Sequence, residues 1–87
     1  MQNLDARDFE LPPSTVLQQV TSDHIAIVKI VKSRIIMKDG EKILQIADKI
    51  RKKLPYTTVS LRTTAPVCSK TEEFLKQNGI MIQKSLF

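Results

Sequence analysis

The run Ile25–Val31, Ile-Ala-Ile-Val-Lys-Ile-Val, constrains the fold more than any other segment of the chain. It is rich in β-branched side chains and broken only by Lys29. β-Branching stiffens the side chain and favours extended backbone. A near-continuous apolar run of this length reads as a strand covered on both faces, as in the parallel sheets of α/β domains. Lys32-Ser33-Arg34 interrupts it. Ile35-Ile36-Met37 then either continues the strand past a bulge or pairs back as a short second strand.

Asp39 reads as an N-cap, its carboxylate accepting from an unpaired amide of the first turn. From there to Leu54 the pattern is helical. Ile43, Leu44, Ala47, Ile50 and Leu54 form one apolar stripe, with Lys42, Lys49 and Lys53 nearly opposite. Arg51, Lys52 and Lys53 suit the negative end of the helix dipole, and Pro55 stops the helix. Thr57–Thr63 alternates: Val59 and Leu61 point one way, Thr58, Ser60 and Arg62 the other. A second helix begins either near Pro66, with Thr64 or Ala65 as cap, or after Ser69, which has capping-box spacing to Glu72. Asn78-Gly79 ends it, and Ile80–Gln83 is the last strand. The order predicts a small two-layer α/β sandwich, strand-helix-strand-helix-strand, with the helices on one side of the sheet or split across it.

The remaining N-terminal segment reads as an arm, with Ser14 capping a short helix through Val20. Charge separates it from the rest. Residues 1–23 hold one base, Arg7, against Asp5, Asp8, Glu10 and Asp23, whereas the following 64 residues hold 13 bases and five acids. An acidic arm (1–23) is thus expected before a basic α/β domain (24–87). With 87 residues, one domain is the limit. No apolar stretch approaches the roughly 18 residues needed to cross a bilayer, so no membrane is expected. The acidic N-terminus lacks a basic n-region, and Cys68 has no cysteine to pair with. Both features suit an intracellular protein, cytoplasmic or nucleoid/nuclear.

Chemistry-bearing clusters are few. His24 and Cys68 are the only soft metal ligands, and a zinc site needs three or four. Gly40 and Gly79 belong to no phosphate-cradling loop. No metal, cofactor or catalytic residue is therefore expected. Cys68 falls near a helix start, which favours a thiolate, but Glu72 and Glu73 follow closely and no second cysteine resolves a disulfide. A buried structural cysteine is the expectation, with a thiol-dependent protein the lesser alternative. The basic residues carry more. Lys32 and Arg34 follow the first strand, Lys38 and Lys42 flank the first helix start, Arg62 lies outward on the second strand, and Lys70 sits near the second helix start. If strand ends and helix starts share an edge of the sheet, these six converge on a phosphate backbone.

Val59–Thr71 reads Val-Ser-Leu-Arg-Thr-Thr-Ala-Pro-Val-Cys-Ser-Lys-Thr. This strand–loop–helix resembles that of the Alba family of small basic DNA- and RNA-binding proteins, over about residues 25–79. Lys38 and Ser69-Lys70 stand where that family carries basic and helix-start residues. Ala65-Pro66 replaces its Gly-Arg loop, and one short strand replaces its long β-hairpin. The resemblance implies a homodimer or heterodimer lying on nucleic acid. The expected function is a non-enzymatic module binding RNA or DNA, as a subunit of a ribonucleoprotein or chromatin-like complex. The alternative is an adaptor subunit that meets a protein partner through the arm.

Overall fold

The computed structural model describes residues 2–12 and 15–84. In chain order the elements are β1 (Gln2–Leu4), a 3-10 turn (Ala6–Phe9), β2 (Val16–Thr21), β3 (His24–Lys29), α1 (Met37–Lys53), β4 (Thr58–Thr63), α2 (Ser69–Gln77) and β5 (Met81–Gln83). Among the described residues the strands form one mixed sheet in the order β1-β2-β3-β4-β5. The β1–β2 and β2–β3 pairs are antiparallel, and the β3–β4 and β4–β5 pairs are parallel.

β3 lies in the middle, as its apolar sequence requires. Ile25 pairs with Val59 and Ile27 with Leu61, and all four are buried on the face that carries the helices. Ile43, Ala47 and Ile50 of α1 and Leu75 of α2 share that core, and the two helices pack on each other. Both therefore cover one face. The parallel strands β3, β4 and β5 lie in sequential order, and helical crossovers of the same hand between them give that result.

The segment expected as an arm is part of the sheet. Residues 2–4 and 16–21 are β1 and β2, and Leu17 is fully buried opposite Ile27. The helix expected through Val20 is a strand, because pairing with β3 buries Leu17 and uses the β-branched Val16, Val20 and Thr21. Its proposed cap, Ser14, lies outside the described residues. Ser22-Asp23 turns the chain from β2 into β3, and Thr21 Oγ1 donates to Asp23 Oδ1 at 2.9 Å. The register slips between Gln19 and Thr21, a bulge that accommodates the turn. Between β1 and β2 the chain packs Ala6, Phe9 and Leu11 into the core. Asp5 caps the 3-10 turn, its Oδ1 accepting from Arg7 N at 3.0 Å while its carboxylate also holds the Arg7 guanidinium.

Helix boundaries differ from expectation in informative ways. α1 starts at Met37, with Ile36 as the N-cap. Asp39 is the third residue of the helix, and its Oδ2 accepts from Ile36 N at 3.1 Å, the carboxylate half of a capping box. Ile35 forms a single bridge to Val67, so Ile35-Ile36-Met37 is neither a strand continuation nor a second strand. α2 starts at Ser69 with Cys68 as the cap, one residue before the start expected after Ser69 and three beyond the one expected near Pro66. Gly79 takes φ +76 after the helix, the left-handed conformation expected of Asn78-Gly79.

Gly40 marks the crossing of the helices. A Cβ there would lie 2.7 Å from Thr71 Cγ2. Gly→Ala in a helix ordinarily stabilises by about 0.5–1 kcal/mol. Here the sign should reverse. Gly40→Ala is expected to cost about 1–3 kcal/mol in urea unfolding through overpacking; a raised urea midpoint would show that the crossing is looser than described.

Candidate functional site

β3 and β4 end at the same edge of the sheet because they are parallel, and each leads through a loop into a helix start. The two loops are joined. Ile35 N donates to Pro66 O at 2.9 Å, and Cys68 N donates to Ile35 O at 2.9 Å. The first turns of α1 and α2 are thereby held side by side, each with backbone amides that no helical carbonyl accepts. Helix N-termini of this kind carry partial positive charge.

The six basic residues singled out from sequence divide among three places. Lys32, Arg34, Lys38 and Lys70 are exposed in the β3–α1 loop and in the first turns of α1 and α2, at this edge. Lys42 lies one turn further along α1. With Lys29, Thr15, Val28, Ile30 and Val31 it lines a largely apolar cleft of about 600 Å³ between α1 and β2. Arg62 does not join them. It points to the sheet face away from the helices and is 7% exposed, with its side chain held within the fold. Strand alternation gave its direction correctly, but not that β4, paired on both sides, would bury it.

Three further cations are structural. Lys49 Nζ donates to Glu10 O at 3.1 Å, Lys53 Nζ donates to Asp8 O, and Arg51 Nη2 donates to Gly79 O at 3.1 Å. The Lys53 ammonium also stands 5.8 Å from the Phe9 ring centroid. The polar stripe of α1 thus clamps the 3-10 turn through its open carbonyls. Helical spacing identified Lys49 and Lys53 as a polar face, but the carbonyls they meet come from the segment read as an arm.

Asp39, Glu72 and Glu73 near the edge each have a partner. Asp39 Oδ1 lies 3.9 Å from Lys29 Nζ, and Glu72 Oε1 lies 3.6 Å from Lys84 Nζ. Glu73 Oε1 accepts from Gln77 Nε2 at 3.4 Å. Cys68 is only partly buried, contrary to the expectation of a buried structural cysteine. The backbone amides of Lys70 and Thr71 hold its thiol below the ordinary range, and the Thr71 hydroxyl and the Arg34 charge act in the same direction. Thr71 Oγ1 is itself fully buried and makes no hydrogen bond at bonding geometry.

His24 sits at the start of β3 and is half-buried. Its Nε2 lies 2.7 Å from Ser60 Oγ across the β3–β4 pair, which places it as a strand-end polar contact. Among the described residues no three His, Cys, Asp or Glu side chains gather at metal-binding distance, and no helix is long and apolar enough to cross a membrane. Comparison with family models, curated proteins and solved structures finds no match to the chain.

The clamping lysines can be separated from the edge lysines by experiment. The double variant Lys49→Gln/Lys53→Gln is expected to speed amide hydrogen exchange around Ala6–Phe9 and to cost about 1 kcal/mol of stability. Unchanged exchange in that segment would show that the clamp contributes nothing.

Proposed function

We propose that this chain is a small non-enzymatic module that binds the phosphate backbone of RNA or DNA at the joined starts of α1 and α2. The observation that carries the reading is the Ile35–Val67 bridge, which brings two helix N-termini and the exposed Lys32, Arg34, Lys38 and Lys70 to one edge. Amides at a helix start donate hydrogen bonds to an oxyanion, the dipole favours its charge, and adjacent lysines add Coulomb attraction. The surplus of bases in residues 24–87 draws a polyanion to that edge and gains from counterion release.

Backbone recognition fits better than base stacking. Tyr56 is 94% exposed, but it lies in the turn between α1 and β4, at the opposite end of both elements. Phe9 and Phe74 belong to the core and its margin. The resemblance of Val59–Thr71 to the Alba family adds nucleic acid, and a dimeric arrangement on it, to the same reading. It also favours a place in a ribonucleoprotein or chromatin-like complex.

A second reading, an adaptor subunit, draws on apolar side chains on the sheet face away from the helices. Met81 is 59% and Val16 46% exposed there. The partner would then meet the sheet face. Residues 2–21 could not act as a separable arm, because removing them removes β1 and β2.

Binding to short duplex DNA, duplex RNA and single-stranded RNA across a salt series tests the first reading. Four neutralised phosphates give a log–log slope of about −3 to −4 on duplex DNA. Lys38→Glu/Lys70→Glu is expected to weaken binding by about tenfold or more at low salt. Equal binding by that variant would place the site elsewhere, and no binding at low salt would favour the adaptor.

A further inference from the structure

We propose that the cleft between α1 and β2 binds an aliphatic carboxylate, a free fatty acid of medium chain length, with its head group at Lys42. At about 600 Å³ the cleft falls within the roughly 300–1,000 Å³ of small-molecule sites. Its lining is sorted by chemistry. Apart from Pro12, Thr15, Lys29 and Lys42, every lining residue is a valine or an isoleucine, so the walls hold no acid and no aromatic ring. Ile27 and Ile43 are buried members of the core, whereas Val28, Val31 and Ile46 are half-buried and Ile30 is 68% exposed. Aliphatic surface left in water is unfavourable, and an alkyl chain lying in the cleft removes it from solvent.

The cations set the charge of the ligand. Lys29 Nζ lies 3.9 Å from Asp39 Oδ1, so its charge is shared. Lys42 is exposed and, among the described residues, has no carboxylate partner. A second cleft of about 340 Å³ shares Pro12, Thr15, Lys42 and Ile46 with the first and continues along α1 to Lys49. Lys42 therefore stands where the two meet, while Lys49 is committed to Glu10 O. A carboxylate at Lys42 gains a charge-assisted hydrogen bond beside a volume that suits its chain.

Other occupants match this lining less well. An unstacked nucleobase wants an aromatic platform or several hydrogen-bonding side chains, and Thr15 is the one neutral hydroxyl here. A second copy would bring the same surplus of bases against Lys29 and Lys42. None of Lys32, Arg34, Lys38 and Lys70 lines the cleft, so the proposal stands apart from phosphate binding at the helix starts.

The test titrates the isotope-labelled full chain, free of nucleic acid, with octanoate, decanoate and decylamine below their micelle concentrations, and follows amide chemical shifts. Decanoate is expected to give saturable changes centred on residues 27–31 and 42–46. It should bind at least about threefold more tightly than octanoate, because two further methylenes leave water. Decylamine has the same chain and the opposite charge, and should bind at least about threefold more weakly than decanoate. Lys42→Gln should weaken decanoate binding about threefold to fivefold and leave decylamine no weaker. Ile30→Ser, at an exposed position, should weaken both carboxylates, and retained dispersion of the amide signals shows that each variant is folded. Changes that do not saturate or that centre elsewhere, equal affinity for decanoate and decylamine, or undiminished decanoate binding by folded Lys42→Gln would overturn the proposal.

Discussion

Parallel pairing of β3 with β4 is the constraint from which the rest of the molecule follows. Parallel strands cannot be joined by a tight turn, so a helix must cross between them. α1 makes that crossing, and Ile43, Ala47 and Ile50 bury against Ile25, Ile27, Val59 and Leu61. Repeating the arrangement from β4 to β5 places α2 beside α1, close enough that a glycine is needed where they cross. The same parallel geometry sends both strand ends to one edge. There the Ile35–Val67 bridge prolongs the pairing past the strands and fixes the two loops together.

Charge is sorted by this architecture. Lys49, Arg51 and Lys53 lie on the flank and C-terminal half of α1, where they meet open carbonyls and act as clamps. Arg62 is enclosed on the other face of the sheet. The cations left facing solvent at the edge, Lys32, Arg34, Lys38 and Lys70, lie in the β3–α1 loop and in the first turns of α1 and α2. Such clustering concentrates positive potential in one region rather than spreading it over the surface. Acidic residues of the N-terminal segment have local roles that the net charge hides. Asp5, for instance, caps its own turn and pairs with Arg7.

Strong local patterns were readable without the structure. The β-branched run at Ile25, the apolar stripe of α1, the alternation of Val59 and Leu61, and the Asn78-Gly79 stop each express one physical preference that tertiary contacts reinforce. The N-terminal segment was not readable in the same way. Val16–Thr21 holds two glutamines and only one fully buried side chain, so neither helical nor alternating periodicity dominates, and pairing with β3 decides the outcome. Helix starts shifted because a single bridge, invisible to local pattern, moved the caps to Ile36 and Cys68. For the candidate site, spacing located Lys38 and Lys70 at helix starts. The burial of Arg62 depends on β4 lying between β3 and β5, which alternation within one strand does not encode.

Titration of the isotope-labelled chain with a short duplex, followed by amide chemical shifts, tests the central claim most directly. The account predicts that the largest changes fall on residues 32–40 and 68–71, with Lys49, Lys53 and the sheet face around Met81 little affected. Changes concentrated on the sheet face away from the helices, with the two helix starts unmoved, would contradict it.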